Sequence, residues 1–329
     1  MDVKSRKNLL RIGVIAILTM AIVQNPLSNL YISKLKNDAQ FAHAENDKLM
    51  QTIKEKAEKL HKPPSDAKID KVWKAMPGYN GVKVDIEASY QKMKKHKTFD
   101  KRKLVFKQIR PKVHLRDLPP SPIYRGHTDK PMVSFLINVA WGNEYIPEIL
   151  SILKKHDVHA TFFLEGRWVK ENPDLAKVIA DGGHELGNHS YSHPDMNKIS
   201  AVRIREELIK TNKVIEATTG EKVTLFAPPS GSFREETVEI AHSLKLLTIM
   251  WTVDTIDWRN PRPEQLITRV TSKLHPGAMI LMHPTDSTTK SLERLIEHIK
   301  EQQLRIGTVS KLMDEERIIQ NETDNSSSQ

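Results

Sequence analysis

His189 and His193 are four residues apart, and two imidazoles at that spacing on one helical turn lie close enough to share a metal ion. They follow an apolar run, His184 to Asn188, that reads as a β-strand and contains Gly187. Unusual residues stand at the ends of other apolar runs. Asn138 and Val139 close the first, Ala227, Pro228 and Pro229 follow the fourth, Asp254 and Asp257 follow the fifth, and His283 ends the sixth. In a parallel α/β fold reactive side chains collect where strands enter helices. The chain has 14 histidines, so no single one is informative, but a His pair at a strand end beside other polar strand ends suggests a metal-dependent hydrolase.

The elements that must position these residues follow from periodicity. Candidate strands are Met132 to Ala140, Ala160 to Leu164, His184 to Asn188, Thr224 to Pro228, Leu247 to Val253, Ala278 to Met282 and a short one near Leu304. Between them lie amphipathic helices. One carries Ile146, Ile149, Leu150 and Leu153, and another runs from about Ser200 to Thr218 and stops at Gly220. Seven strand and helix units predict an α/β barrel in preference to an open sheet.

Upstream, the stretch from Ile69 to about His114 is predicted to form a small α+β module. It has a short helix, a turn at Pro77-Gly78-Tyr79-Asn80-Gly81, and a strand in which Val82, Val84 and Ile86 alternate with charged residues. Leu118-Pro119-Pro120-Ser121-Pro122 predicts a stiff linker before the barrel. Residues 31–68 read as a charged helical stalk, and the polar tail of residues 314–329 reads as disordered. This divides the chain into residues 1–30, 31–68, 69–127, 128–313 and 314–329.

Composition narrows the chemistry further. The 329-residue chain has no cysteine, which excludes disulfides, thiolate metal sites and a Cys nucleophile; any metal must be held by His, Asp, Glu or water. Fifty-one basic against 41 acidic side chains give a net charge of +10, concentrated in the first 130 residues around Lys92, Lys94, Lys95, Lys97, Lys101, Arg102 and Lys103. No reading helix or zinc finger accompanies the charge, so no nucleic-acid partner is expected; an anionic membrane surface or wall polymer suits it better, and a solvated face equally well. Lys4, Arg6, Lys7 and Arg11 precede the apolar run Ile12 to Val23, the layout of a membrane-directing segment. No cleavage site follows closely, so residues 1–30 are predicted to be a signal anchor with the bulk outside the membrane. The alternative is a cleaved signal peptide and a protein secreted to the cell wall.

Gly183-His184-Glu185-Leu186-Gly187-Asn188-His189-Ser190 with His193 resembles the second motif of the NodB-type polysaccharide deacetylases, carbohydrate esterase family 4. Asp254-Thr255-Ile256-Asp257-Trp258 resembles the fourth motif and Leu281-Met282-His283 the fifth, and the likeness covers residues 128–313. The resemblance implies a distorted (β/α)7-type barrel. It also implies removal of acetyl groups from N-acetylglucosamine or N-acetylmuramic acid in peptidoglycan or a related glycan, with a zinc-like divalent metal. In that mechanism a metal on two His and one Asp activates water, a second Asp takes its proton, and a His protonates the leaving amine.

Three positions depart from the pattern. Asn138 stands where the resemblance places the general base, Val139 where it places the metal carboxylate, and Ala227 where it places the Arg that orients the base. An amide cannot accept that proton and an isopropyl group cannot ligate. The metal at His189 and His193 is therefore expected to be weak or absent. The acid side, His283 with Asp257, is complete, and Trp258, Trp251 and Pro229 are candidate sugar contacts. Two functions remain: a strongly impaired deacetylase whose missing ligand comes from elsewhere, for example Glu144, or a carbohydrate-binding pseudoenzyme at the cell surface. A purely structural barrel behind a functional basic N-terminus is a third.

Overall fold

The structure is a computed structural model in which residues 13–15, 19–20 and 25–319 are described, with backbone alone for 37–47. The basic cluster at the N-terminus, most of the apolar run after it, and the tail from Gln320 lie outside the described residues, but the first part of the tail expected to be disordered is held in place, Asp314 O accepting from Lys130 Nζ and Arg317 N donating to Gln108 Oε1, both at 2.8 Å. Among the described residues no helix is long and apolar enough to cross a membrane. The chain divides into two compact units, one containing His61, the residues before it and Lys83–Lys107, the other containing Lys62–Val82 and Gln108–Gln320.

The stretch predicted as a separate module is distributed between these units. In place of the expected short helix there is an antiparallel hairpin, β1 (Lys68–Asp70) and β2 (Lys74–Met76). Asp70 accepts the backbone N–H groups of Val72 and Trp73 at 2.8 and 2.9 Å, and Lys74 takes the left-handed conformation. A carboxylate that closes its own turn outweighs the weak local helical pattern. The predicted strand through Ile86 also ends early. β3 (Gly81–Val84) stops because the Asp85 side chain accepts the N–H of Ala88 at 3.1 Å and caps the helix Ile86–Met93, so capping overrides the period-2 pattern. Within β4 (Phe106–Ile109) the chain enters the larger unit, at Gln108. In the smaller unit, Leu49, Ile53 and Ala57 of the helix Pro26–Leu60 pack with Val84, Met93 and Leu104. This is one apolar stripe at i, i+4, i+8 spacing on an otherwise charged helix.

The larger unit is built on parallel strands: β5 (Met132–Val139), β6 (Thr161–Leu164), β7 (Glu185–Asn188), β8 (Leu225–Phe226), β9 (Leu247–Thr248), β10 (Val253–Asp254), β11 (Met279–Met282) and β12 (Arg305–Gly307). Their order is β10-β11-β5-β6-β7-β8-β9, with β12 joining the start of β5, which makes an α/β fold with a seven-strand half-barrel. The predicted runs match these strands except one. Leu247 to Val253 divides, its start pairing with β8 and its end with β11. Between the two pieces Ile123 takes the strand's hydrogen bonds, donating to Thr248 O at 2.9 Å and accepting from Met250 N at 2.8 Å. The residue directly after the proline-rich stretch expected to be a linker thus joins the sheet.

Two apolar layers hold the sheet. Val133, Phe135, Ile137 and Val139 face the helices, packing with Ile146, Ile149 and Leu153 of Ile146–Lys155 and with Leu292, Leu295 and Ile296 of Asp286–Glu301. On the other face Leu136, Phe163, Leu225, Ala227, Ile249 and Met279 form an inner cluster. Gly187 is required there, because a Cβ would lie 2.4 Å from the Phe163 ring. The predicted long helix is Ala201–Thr219, ended by Gly220 at φ +79°.

His184, the first histidine of the recognised motif, supports this core. Its ring is buried, tilted against Phe162 at 5.0 Å and His159 at 5.8 Å, and Nδ1 accepts the N–H of Ala160 at 3.2 Å. Burial, aided by His159, lowers its pKa from 6.5 to about 4. The unfolded chain therefore takes up this proton first as pH falls, so the contribution is complete above pH 6.5 and is lost between 6.5 and about 4. Thermal melts across that window are expected to show a loss from this residue of about 2–3 kcal/mol. In His184→Asn, whose Oδ1 can take the same N–H without titrating, that share of the pH slope should vanish; an unchanged slope would contradict the assignment.

Candidate functional site

His189 follows β7 and is buried, its backbone N–H bonded to Leu164 O at 3.0 Å. Its Nδ1 lies 2.8 Å from the carbonyl oxygen of Ala227, so Nδ1 carries the proton and Nε2 keeps a free lone pair. That is the tautomer a metal-ligating histidine adopts. Burial, with His193 and His283 nearby, depresses its pKa to about 3, which keeps the ring neutral. His193 is exposed, and the two rings meet edge to face with centroids 5.1 Å apart.

The spacing brings the rings together, but not through a helical turn. Residues 189–199 form a loop, with Ser190 at φ 62° and His193 at φ 56°. Its polar bracing replaces helical hydrogen bonds. Asn188 Oδ1 accepts Ser190 N at 2.8 Å, Ser190 Oγ accepts His193 N at 3.0 Å, and Glu207 accepts the N–H groups of Tyr191 and Ser192 at 2.8 and 2.7 Å. Glu207 was missed in the sequence, although a charged residue on the apolar face defined by Ile204, Leu208, Thr211 and Ile215 was a visible signal.

The pair Asp257 and His283 is brought together and held more strongly than the sequence indicates. Asp257 is fully buried, and its carboxylate accepts the His283 backbone N–H at 2.5 Å, the His283 Nδ1–H at 2.8 Å and the Thr288 hydroxyl at 2.6 Å. His283 Nε2 is thereby left available. Thr288, in the first turn of Asp286–Glu301, had no marker in the sequence. Asp254 is a turn residue whose Oδ1 accepts Ile256 N at 2.8 Å, and Ile256 sits at φ 54°, a costly conformation for a β-branched side chain.

At the altered positions, Asn138 is 4% exposed and its Oδ1 is buried without a hydrogen-bond partner. Val139 belongs wholly to the apolar layer under the helices, and Ala227 to the inner cluster with Leu136 and Phe163. Trp258 is exposed with the Arg259 guanidinium 4.6 Å over its ring, whereas Trp251 is partly buried against the inner cluster, 2.7 Å from where a Gly231 Cβ would lie. Pro229 is buried at the start of the turn Pro229–Gly231. Glu144 is exposed. A cavity of about 700 Å³ opens at the opposite strand ends, against Met132, His159, Gly183 and Arg305.

The donor set does not fit the family's metal centre. Two neutral imidazoles are present, but among the described residues no carboxylate joins them; the one three-donor group found is His156, Glu293 and Glu297, where Lys155 and His156 already pair with Glu293. No catalytic step through a metal is derived from this geometry.

A family model for polysaccharide deacetylases matches residues 125–249. YlxY of Bacillus subtilis (strain 168) is 56% identical over 298 residues, 91% of this chain and 93% of that protein. The peptidoglycan-N-acetylmuramic acid deacetylase PdaA of the same organism is 32% identical over 200 residues, 59% of this chain and 76% of PdaA. The crystal structure of BA3943, a CE4 family pseudoenzyme from Bacillus anthracis, is 58% identical, with a TM-score of 0.79 over 82% of this chain and 96% of that one. A BA3943 mutant with restored enzymatic activity matches with the same TM-score at 57% identity, over 82% of this chain and 99% of the mutant chain. The chain belongs to the polysaccharide deacetylase family, carbohydrate esterase family 4.

Removing the Asp257 carboxylate orphans three donors in a buried setting. Asp257→Ala is expected to cost about 2–4 kcal/mol in urea unfolding. A loss under about 0.5 kcal/mol would show that solvent satisfies those donors.

Proposed function

We propose that this protein recognises N-acetylated wall glycan, peptidoglycan or a related polymer, with hydrolysis of the acetyl group strongly impaired or absent. The observation that carries the reading is Asn138. Its oxygen is buried and unpartnered at the position of the family's general base, while Ala227 stands in place of the Arg that would orient that base. Loss of a general base lowers rates by about 10² to 10⁴. Loss of the metal carboxylate at Val139 weakens the metal as well, so a divalent ion such as zinc is held poorly or not at all. The pseudoenzyme BA3943 and the deacetylase PdaA, as relatives, support a diverged site on a glycan-recognising frame.

The half-barrel is read here as the family's distorted (β/α)7 barrel. The basic and apolar N-terminus supports a membrane-anchored or secreted protein whose barrel faces the cell wall. In that arrangement the part of the helix Pro26–Leu60 before Leu49 serves as a stalk, the rest being packed into the smaller unit, and the basic residues around Lys92 to Lys103 face an anionic surface.

Acetate release from N-acetylchitooligosaccharides and from peptidoglycan, with added Zn²⁺ or Co²⁺, tests the proposal. Turnover at background level is expected for the natural sequence. Robust turnover that His189→Ala abolishes would overturn the reading. Combined Asn138→Asp, Val139→Asp and Ala227→Arg, checked for folding by thermal melt, should raise acetate release; no gain would mean that the groove itself has diverged.

A further inference from the structure

Trp141 is the aromatic side chain at the rim whose presentation the fold fixes most directly. It is 47% exposed, and its ring lies nearly parallel to the His283 imidazole, at 8° with centroids 6.1 Å apart. The loop that carries it is pinned from several sides. Gly142 adopts φ +81° and approaches the Pro284 carbonyl so closely that a Cβ would lie 2.1 Å from its oxygen. Asn143 Oδ1 accepts the Trp168 indole N–H at 2.6 Å, and Asn143 Nδ2 donates to Asn172 Oδ1 at 2.7 Å. An exposed indole on a braced loop loses little freedom on binding, which is what an anchor residue requires.

The other two tryptophans at this rim are less available. The ring of Trp258 is covered on one face by Arg259, and Trp251 is committed to the inner cluster. A polar element stands level with His283, the residue that the Trp141 ring faces. Ile137 pairs with Met282, so Asn138 and His283 are the next residues along adjacent strands. The buried Asn138 Oδ1 is an unpartnered acceptor, and an acetamido group offers an N–H donor attached to a pyranose ring with an apolar face.

We infer that Trp141 is the platform on which a pyranose of an N-acetylhexosamine glycan stacks, with its acetamido N–H directed to Asn138. The inference rests on the glycan-recognition reading above and adds the residue that confers it. The site binds the group that the family's active members hydrolyse, using an amide where they use a base.

Isothermal titration of the full chain with N-acetylchitotetraose, followed in parallel by tryptophan fluorescence, tests it. Trp141→Ala should weaken binding about 10- to 100-fold at unchanged melting temperature, whereas Trp141→Phe should stay within about 5-fold. The de-N-acetylated tetramer should bind at least about 10-fold more weakly than the acetylated one. Equal binding by Trp141→Ala and the natural sequence would overturn the role of Trp141 and leave the glycan reading intact. Absence of binding by the natural sequence itself would overturn both.

Discussion

β11, β5, β6 and β7 run parallel in one fixed register: Met282 pairs with Ile137, Val139 with Leu164, and Leu164 with Asn188. The residues that follow these pairs are therefore delivered to one rim, although they are scattered along the chain from Asn138 to His283. His283 comes level with Asn138, and His189 stands one step beyond Asn188. Ala227 is drawn in by the pairing of Asn188 with Phe226. Everything at the rim depends on this alignment, and the alignment depends in turn on close approaches such as Gly187 against Phe163. A side chain at Gly187 would push two strands apart before it touched any reactive group.

The residues that survive from the family site are also those with structural work in the ground state. Asp257 satisfies three donors at once and ties β11 to the helix Asp286–Glu301 through Thr288. His189 links β7 to β8 through the Ala227 carbonyl, an interaction that does not require any particular side chain at 227. A buried network in which every member is paired resists change, because each loss leaves an orphan. The side chains of Asn138, Val139 and Ala227, at the positions where the motif resemblance expects other residues, take no part in that network.

Much of this was legible in the sequence because strand and helix periods survive divergence. The runs beginning at Met132, Ala160, His184, Thr224 and Ala278 became strands, and the Ser200 to Thr218 pattern became Ala201–Thr219. What was not legible depended on single polar side chains closing local backbone. Asp70 made a hairpin where a helix was expected, and Asp85 ended a strand that alternation would have prolonged. The His189 and His193 spacing gave the right proximity for a wrong reason, since a loop braced by Glu207 takes the place of a helical turn. Hydrogen bonds from residues far along the chain, such as those of Thr288 and Ile123, leave no periodic trace.

The two positions at which the motif resemblance expects carboxylates, 138 and 139, are not equivalent in this structure. Asn138 alternates with Leu136 and shares its face of β5, whereas Val139 alternates with Ile137 and is sealed among apolar side chains beneath the helices. Asn138→Asp exchanges groups of the same shape at a position that already tolerates a polar atom, although its charge would then require a partner. An arginine at 227 would enter the inner cluster beside Leu136 and Phe163, where it is tolerable only if that carboxylate meets it. Substitutions at 138 and 227 are therefore coupled. A carboxylate at 139 would instead be enclosed by the apolar layer beneath the helices, where a buried charge is costly unless a cation or a set of donors meets it.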